Sequence, residues 1–404
     1  MADVRPFKAI RPAEGKAEHI AALPYDVMNT AEAREEIRRE PLSFLAIDRP
    51  ETSFPDGFDM YAPEVYDKAR ELFEGMLEKG DFVQDKEEAY YIYELTMEGR
   101  SQTGIVAVCA SSDYENNIIK KHENTLAAKE QDRIRHIAAL KAQTGPIFLA
   151  YRRQAVIDGI TAKYKEGSPV FDFTSPDGIT HRGWVIPGKE DIKAIQEAFR
   201  GIDDIYIADG HHRCASAVKN CSKLPPEKSY FLSVLFPDSE LKIYDYNRVV
   251  RDLNGLSESR FFDRLRKKYR IEDRGTEPVK PSKKGEMTMY ISGRWYALSI
   301  KEEFVVDDPV SSLDVAILQN EVLSPVLNIE DPKTDPRISF VGGIRGLGEL
   351  VRLVDSGEYE VAFAMYPTSI SELFAVADAG MLMPPKSTWF EPKLRSGLFI
   401  NRFC

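Results

Sequence analysis

At 404 residues, with 43% hydrophobic and 29% charged side chains, the chain is long enough to bury a sizeable core and shows no bias toward disorder. Its net charge of −11 argues against a general nucleic-acid binder, whose footprint is basic, but leaves room for a local basic pocket. No apolar run approaches a membrane span, and charged residues fill the first twenty positions where a signal peptide would be apolar. None of Cys109, Cys214, Cys221 and Cys404 forms a CxxC pair. A cytoplasmic protein with reduced thiols, no membrane and no nucleic-acid partner is expected.

In chain order, Thr30 can cap a helix carrying Glu32 and Glu35 in its first turns, with Asn29 as the alternative cap. Residues 42–47 read as a strand. Residues 63–79 read as a helix with Val65, Leu72, Phe73, Met76 and Leu77 on one face, ended by Gly80. Residues 89–95 and 104–110 read as a hairpin through Glu98-Gly99-Arg100. Next, Lys120-Lys121-His122-Glu123 precedes a helix over 126–142, which carries Lys129, Glu130, Arg133, Arg135 and Lys141. Asn124 or Thr125 stands near its N-cap, and Gly145-Pro146 stops it. The cluster places cations and one carboxylate at an anion-favouring terminus. A strand over 147–151 and an amphipathic helix over 188–200 follow.

The sharpest signal is residues 205–217. An apolar run of strand length breaks at Asp209-Gly210, then resumes as small residues at helical spacing: Cys214, Ala215 and Ala217. The loop between holds a carboxylate, two imidazoles (His211, His212) and the Arg213 guanidinium. The helix N-terminus behind it favours a bound anion, and Gly210 allows backbone to approach a ligand closely. In α/β sheets ligands collect at the carboxyl ends of strands, so a phosphate-handling loop is the reading. His211 and His212 can instead bind a metal, but no third His or Cys has a ligand spacing.

Residues 229–236 and 241–250 read as two antiparallel neighbours, 257–268 as a charged helix, and 278–284 as a linker. Residues 287–291 and 295–300 read as a hairpin. Ser311 or Ser312 can cap a helix through Leu313, Ile317, Leu318 and Val322. A strand over 338–341, Gly342-Gly343, a helix and a strand over 361–366 form a β-loop-α-β unit whose glycines suit packing better than phosphate. Residues 383–397 interleave Lys386, Ser387, Lys393 and Arg395 with Trp389 and Phe390, among prolines that forbid a regular helix, and read as a binding segment. The expected fold is mixed α/β, divided as an N-terminal α/β region (1–150), a central region with the signature loop (151–277) and a C-terminal α/β region with the binding tail (278–404).

Residues 207–213, 120–133 and 384–390 together resemble the family of unknown function DUF1015. More narrowly, Asp209-Gly210-His211-His212-Arg213 resembles the signature of nucleotide-dependent free-serine kinases of the ParB/sulfiredoxin-like fold. That resemblance implies a ParB/sulfiredoxin-like strand-loop-helix centre. It implies ATP or ADP with Mg²⁺ as cofactors, Asp209 at the transferred phosphoryl or its metal, and His211, His212 and Arg213 on phosphate. Those kinases also use a glutamate outside the loop as general base, and Glu123, with its cationic neighbours, is the candidate here. Gly210, Lys120, Lys121, Lys386, Ser387, Lys393 and Arg395 complete the expected phosphate or nucleotide contacts. Three readings follow: a kinase of free serine or a similar small hydroxyl metabolite, a nucleotide or phosphate-ligand sensor without turnover, and a metal-dependent phosphate-ester hydrolase.

Overall fold

In the computed structural model, which describes residues 1–125 and 127–403, the longest apolar runs form strands. Leu126, where the expected helix begins, the Lys129 side chain and Cys404 lie outside the described residues. The chain divides into two compact units, one made of Met1–Leu241 with Pro392–Cys404, the other of Lys242–Glu391. The expected three regions drew their boundaries elsewhere, at 150 and 277.

The first unit holds a nine-stranded sheet. Its strands are β1 (Val4–Arg5), β2 (Tyr90–Met97), β3 (Arg100–Ala110), β4 (Ile119–Lys120), β5 (Ile147–Tyr151), β6 (Phe171–Thr174), β7 (Thr180–Ile186), β8 (Ile205–Asp209) and β9 (Tyr230–Pro237). Their order is β4-β8-β5-β9-β3-β2-β7-β6, with β1 also on β3. The sheet is mixed: β4 runs parallel to β8 and β5 parallel to β9, and the other neighbours are antiparallel. Strand β9 is buried at every position, as a central strand covered on both faces must be. The β2–β3 hairpin turns at Glu98 and Gly99, both at positive φ, as its sequence predicts.

Helices α1 (Thr30–Arg39), α2 (Pro63–Glu78), α3 (Ala127–Leu140), α4 (Lys189–Arg200) and α5 (His211–Cys221) belong to this unit. Asn29, not Thr30, caps α1, in a reciprocal capping box with Glu32. Helix α3 ends at Leu140, ahead of Gly145-Pro146, with Lys141 at positive φ. One core cluster joins the sheet to the flanking helices through Ile195, Phe199, Ile205, Ile207, Cys214 and Phe231; a second gathers Ile20, Phe44, Phe73, Phe82, Leu140 and Ile400.

Two expectations for this stretch are corrected. Residues 42–47 are not a strand: Leu45–Asp48 is a helical turn. Its final carbonyls are satisfied from outside, Ile47 O by His136 Nε2 at 2.8 Å and Asp48 O by Arg133 at 3.3 Å. Nor is β9 the neighbour of the strand that follows it, because both of its edges are taken, by β3 and β5.

The strand expected over 241–250 is two, Ile243–Tyr244, paired with Trp389–Phe390, and β10 (Tyr246–Val250), both in the second unit. There β11 (Tyr269–Gly275), β12 (Glu286–Ile291), β13 (Arg294–Ile300), β14 (Ile338–Gly342) and β15 (Val361–Ala364) join β10 in the antiparallel order β11-β13-β12-β15-β10-β14. The expected serine cap near 311 is also absent. Asp308 accepts the Val310 and Ser311 N–H groups, and the helix Asp314–Leu318 starts after Leu313 without a side-chain cap. Gly342 packs beneath the Trp389 ring, where a Cβ would sit 2.9 Å from it, so this glycine serves packing.

Gly183 on β7 faces Phe171 on β6, and an added Cβ would overlap the Phe171 ring. Gly183→Ala is therefore expected to lower the unfolding free energy by about 1–3 kcal/mol, the cost of overpacking a tight contact. Urea denaturation measures this, and an unchanged midpoint would contradict the packing described.

Candidate functional site

Strand β8 is buried through Ala208 and opens at Asp209, where its register against β5 shifts between Ile207 and Asp209. Such an irregularity re-aims the side chain at a strand end. Gly210 follows at φ 88°, ψ 35°, a left-handed conformation that a Cβ disfavours. Helix α5 then starts at His211 with no side-chain cap. Small residues seat it against α3: Ser216 Oγ donates to Glu130 O at 3.0 Å, and Asn220 Nδ2 to Ile134 O at 3.2 Å. The N-terminus of an eleven-residue helix thus stands at the carboxyl end of β8.

Asp209 sits among cations. Lys393 Nζ meets its Oδ2 at 3.0 Å, and the Gly210 N–H donates to its Oδ1 at 2.8 Å. Burial works to raise this carboxyl's pKa, but Lys393 and Arg213, with the two hydrogen bonds, hold it below the usual carboxylate range. The carboxylate is therefore charged, and with a third of its side-chain surface accessible it is within reach of a ligand. Arg213 donates to Pro146 O at 2.8 Å and folds back beside Gly210, where a Cβ would meet its Nε at 2.9 Å.

The 120–123 cluster arrives through strand pairing. Strand β4 runs parallel to β8 with Ile119 opposite Ile205 and Lys120 opposite Tyr206, so residues 121–123 leave the sheet at the same edge as Asp209. Lys120 pairs with Asp204 at 3.1 Å and lies 6.0 Å from the Tyr206 ring centre, which turns it to the amino end of β8 and away from Asp209, against expectation, while the exposed Lys121 lies 5.8 Å from the Tyr114 ring centre. Glu123 Oε2 stands 4.0 Å from His211 Nδ1. The His122 backbone N–H donates to His211 Nε2 at 3.5 Å, which assigns the His211 proton to Nδ1, toward Glu123. Burial lowers His211 to about 4; Asp209 opposes this, and His212 and Lys121 reinforce it. His212 is half-buried.

Sequence reasoning left His122 out of the site. Its ring is fully buried, 4.5 Å from the His211 ring at 85°, and burial together with His211 holds it well below the ordinary histidine range against the pull of Asp209. Arg213 also lines a cavity of about 40 Å³ with Tyr25, Asp48, Arg133, His136 and Thr144. The Arg133 guanidinium lies 4.1 Å from the Tyr25 ring centre and pairs with Asp132 at 2.8 Å.

The 383–397 segment divides at the unit boundary. Lys393 reaches Asp209, but Arg395 is committed to the β6–β7 hairpin, where it pairs with Asp177, donates to Ser175 Oγ at 3.2 Å and approaches His181 Nε2 at 3.4 Å. Lys386 and Ser387 belong to the second unit. There Lys386 takes positive φ and lies over the Tyr246 ring, its carbonyl accepts from Arg248 at 3.0 Å, and Ser387 Oγ donates to Pro384 O at 2.6 Å. Among the described residues no group of three or more His, Cys, Asp or Glu is placed to hold a metal ion, and no helix is long and apolar enough to cross a membrane.

With this geometry, the chain belongs to the protein family of unknown function DUF1015, whose model matches residues 4–316. The 384–390 segment lies beyond the matched residues. Among solved structures, a free serine kinase in complex with AMP is similar at 15% identity and a TM-score of 0.36, covering 73% of this chain and 91% of that one. A conserved hypothetical protein from Pyrococcus furiosus is similar at 15% identity and 0.35, covering 73% and 94%. SbnI from Staphylococcus aureus, with a C-terminal truncation, is similar at 12% and 0.38, covering 71% and 82%. No curated protein matches the sequence.

His211 has a testable acid–base behaviour. With its folded pKa lowered to about 4, it is neutral in the native state at pH 5, whereas an unfolded histidine near 6.5 takes up a proton. Its contribution to stability is therefore full above about pH 6.5 and lost as pH falls toward 4. An NMR titration should show its ring resonances unmoved between pH 8 and 5; a midpoint near 6.5 would contradict the buried, neutral ring.

Proposed function

We propose that the chain is a nucleotide-dependent phosphotransferase acting on the hydroxyl of free serine or a similar small metabolite, through a centre of the ParB/sulfiredoxin-like kind. The observation that carries this is a charged, one-third accessible Asp209 at the carboxyl end of β8, flanked by Lys393 and Arg213 and followed at once by a helix N-terminus. Phosphoryl transfer asks for little covalent chemistry from a protein. It needs donors and cations on the phosphates and a carboxylate at the reacting centre.

In this reading the N–H groups opening α5, together with His212, Arg213 and Lys121, hold phosphate of ATP or ADP, and Lys393 offsets charge as the phosphoryl moves. Glu123, beside His211, accepts the proton of the attacking hydroxyl. Asp209 would hold a Mg²⁺ ion as a single carboxylate ligand. That suits magnesium, which is usually held by one or two carboxylates plus substrate phosphates, and when bound it neutralises developing charge.

The sensor reading has one observation in its favour: Lys393 already occupies an oxygen of Asp209, a balance suited to recognition without turnover. The hydrolase reading has no three-ligand cluster among the described residues to support it.

Asp209→Asn separates these. It keeps size and hydrogen bonding but removes the charge, so ATP affinity by calorimetry without Mg²⁺ should not fall, while serine phosphorylation with Mg²⁺ in a coupled assay falls by roughly 10²-fold or more. Near wild-type turnover in the variant would remove Asp209 from the chemistry. Nucleotide binding without turnover in either protein, across small hydroxyl acceptors, favours the sensor.

A further inference from the structure

Among the described residues four histidines are buried, and three of them have evident partners. His136 Nε2 donates to Ile47 O, His181 lies between the Tyr93 hydroxyl at 2.8 Å and Ser175 Oγ at 3.1 Å, and His211 Nε2 receives the His122 N–H. His122 differs: neither ring nitrogen has a hydrogen-bond partner among the described residues, although the residue is 0% exposed. A buried imidazole left this way costs desolvation free energy, so it calls for a reason beyond packing. A phenylalanine would fill the same place edge-on to His211 without that cost.

Its position supplies the reason. Strands β4 and β8 are adjacent and parallel, and their carboxyl ends open at one edge of the sheet. His122 leaves β4 two residues after Lys120, where Asp209, Gly210 and His211 leave β8. Crevices at the carboxyl ends of neighbouring parallel strands are where α/β sheets take ligands. Its surroundings also suit an anion. His211 packs against it, Lys121 is its exposed neighbour, and the helix N-terminus points the same way; the acids near it are Glu123 and Asp209, the latter already paired with Lys393. An imidazole N–H in this setting is a donor for a phosphate oxygen.

We propose that His122 is a binding residue of the same site, donating a ring N–H to a phosphate oxygen of the ligand held at the Gly210 turn. This rests on the reading of that turn as a phosphate site and adds a residue to it. Binding asks a small rearrangement of the His122–His211 pair, since the donor nitrogens are covered in the ligand-free chain.

The test compares wild type with His122→Phe and His122→Gln in the full chain, by thermal melts and by calorimetry with MgADP and with pyrophosphate. His122→Phe keeps a ring and removes both nitrogens. It should melt no lower than wild type without ligand, yet bind MgADP at least tenfold more weakly and gain less melting temperature from it. His122→Gln, which restores an N–H, should recover part of the affinity. If the Phe variant fails to fold, the Gln variant decides, set against His122→Leu. Wild-type affinity in a folded variant lacking the ring nitrogens would overturn the role of His122 and leave the phosphate reading standing. No binding of either ligand to the wild type would overturn that reading, and this inference with it.

Discussion

A two-residue parallel pairing decides what surrounds the Gly210 turn. Strands β4 and β8 share only Ile119–Ile205 and Lys120–Tyr206, yet that register brings a segment some ninety positions earlier in the chain to the open end of Asp209. Without it the turn would be a strand-to-helix connection with a carboxylate and a guanidinium. With it, Glu123 and His122 stand beside His211 at the same helix N-terminus, and the Lys121 charge acts on His211, while Lys120 stays with Asp204 at the amino end of β8. The pairing lies at the edge of the nine-stranded sheet, so its support comes from α5 packing on α3, which immediately follows the segment.

Charge balance sets the chemistry available there. Asp209 stays ionised against the pull of burial because Lys393 and Arg213 stand beside it. Those cations do two things at once: they keep the carboxylate charged, and they leave the surroundings positive enough for a phosphate. The histidines contribute differently. Burial keeps His211 and His122 neutral, so they act as directional hydrogen-bonding groups and not as fixed charges. So arranged, Asp209 is charged and the His211 and His122 rings are neutral across the neutral pH range.

The centre of this arrangement was legible in the sequence because local chemistry dictated it. Asp-Gly after an apolar run demands a break, and Gly210 takes the left-handed conformation that such a break needs. The β2–β3 hairpin was legible for the same reason, with Glu98 and Gly99 at its turn. What was not legible depends on contacts between distant residues. The run at 42–47 holds buried Phe44, Leu45 and Ile47, and a short apolar run reads alike as helix or strand; bonds from Arg133 and His136 to its carbonyls accompany the helical turn. Strand β9 has no free edge for the following strand, a fact of topology and not of pattern. Within the Lys-Lys-His-Glu cluster, charge drew attention to Lys120, Lys121 and Glu123, while the burial that singles out His122 has no signature in sequence. Likewise Arg395 shares a motif with Lys393, but its guanidinium serves the β6–β7 hairpin.

The central claim is that the Gly210 turn holds the phosphates of a nucleotide. The most direct measurement is a crystal structure of the protein with MgADP, resolved well enough to place each phosphate. The account predicts phosphate oxygens within hydrogen-bond distance of Arg213 and of the backbone N–H groups that open α5. A nucleotide bound elsewhere in the chain, with this turn free of phosphate, would contradict it.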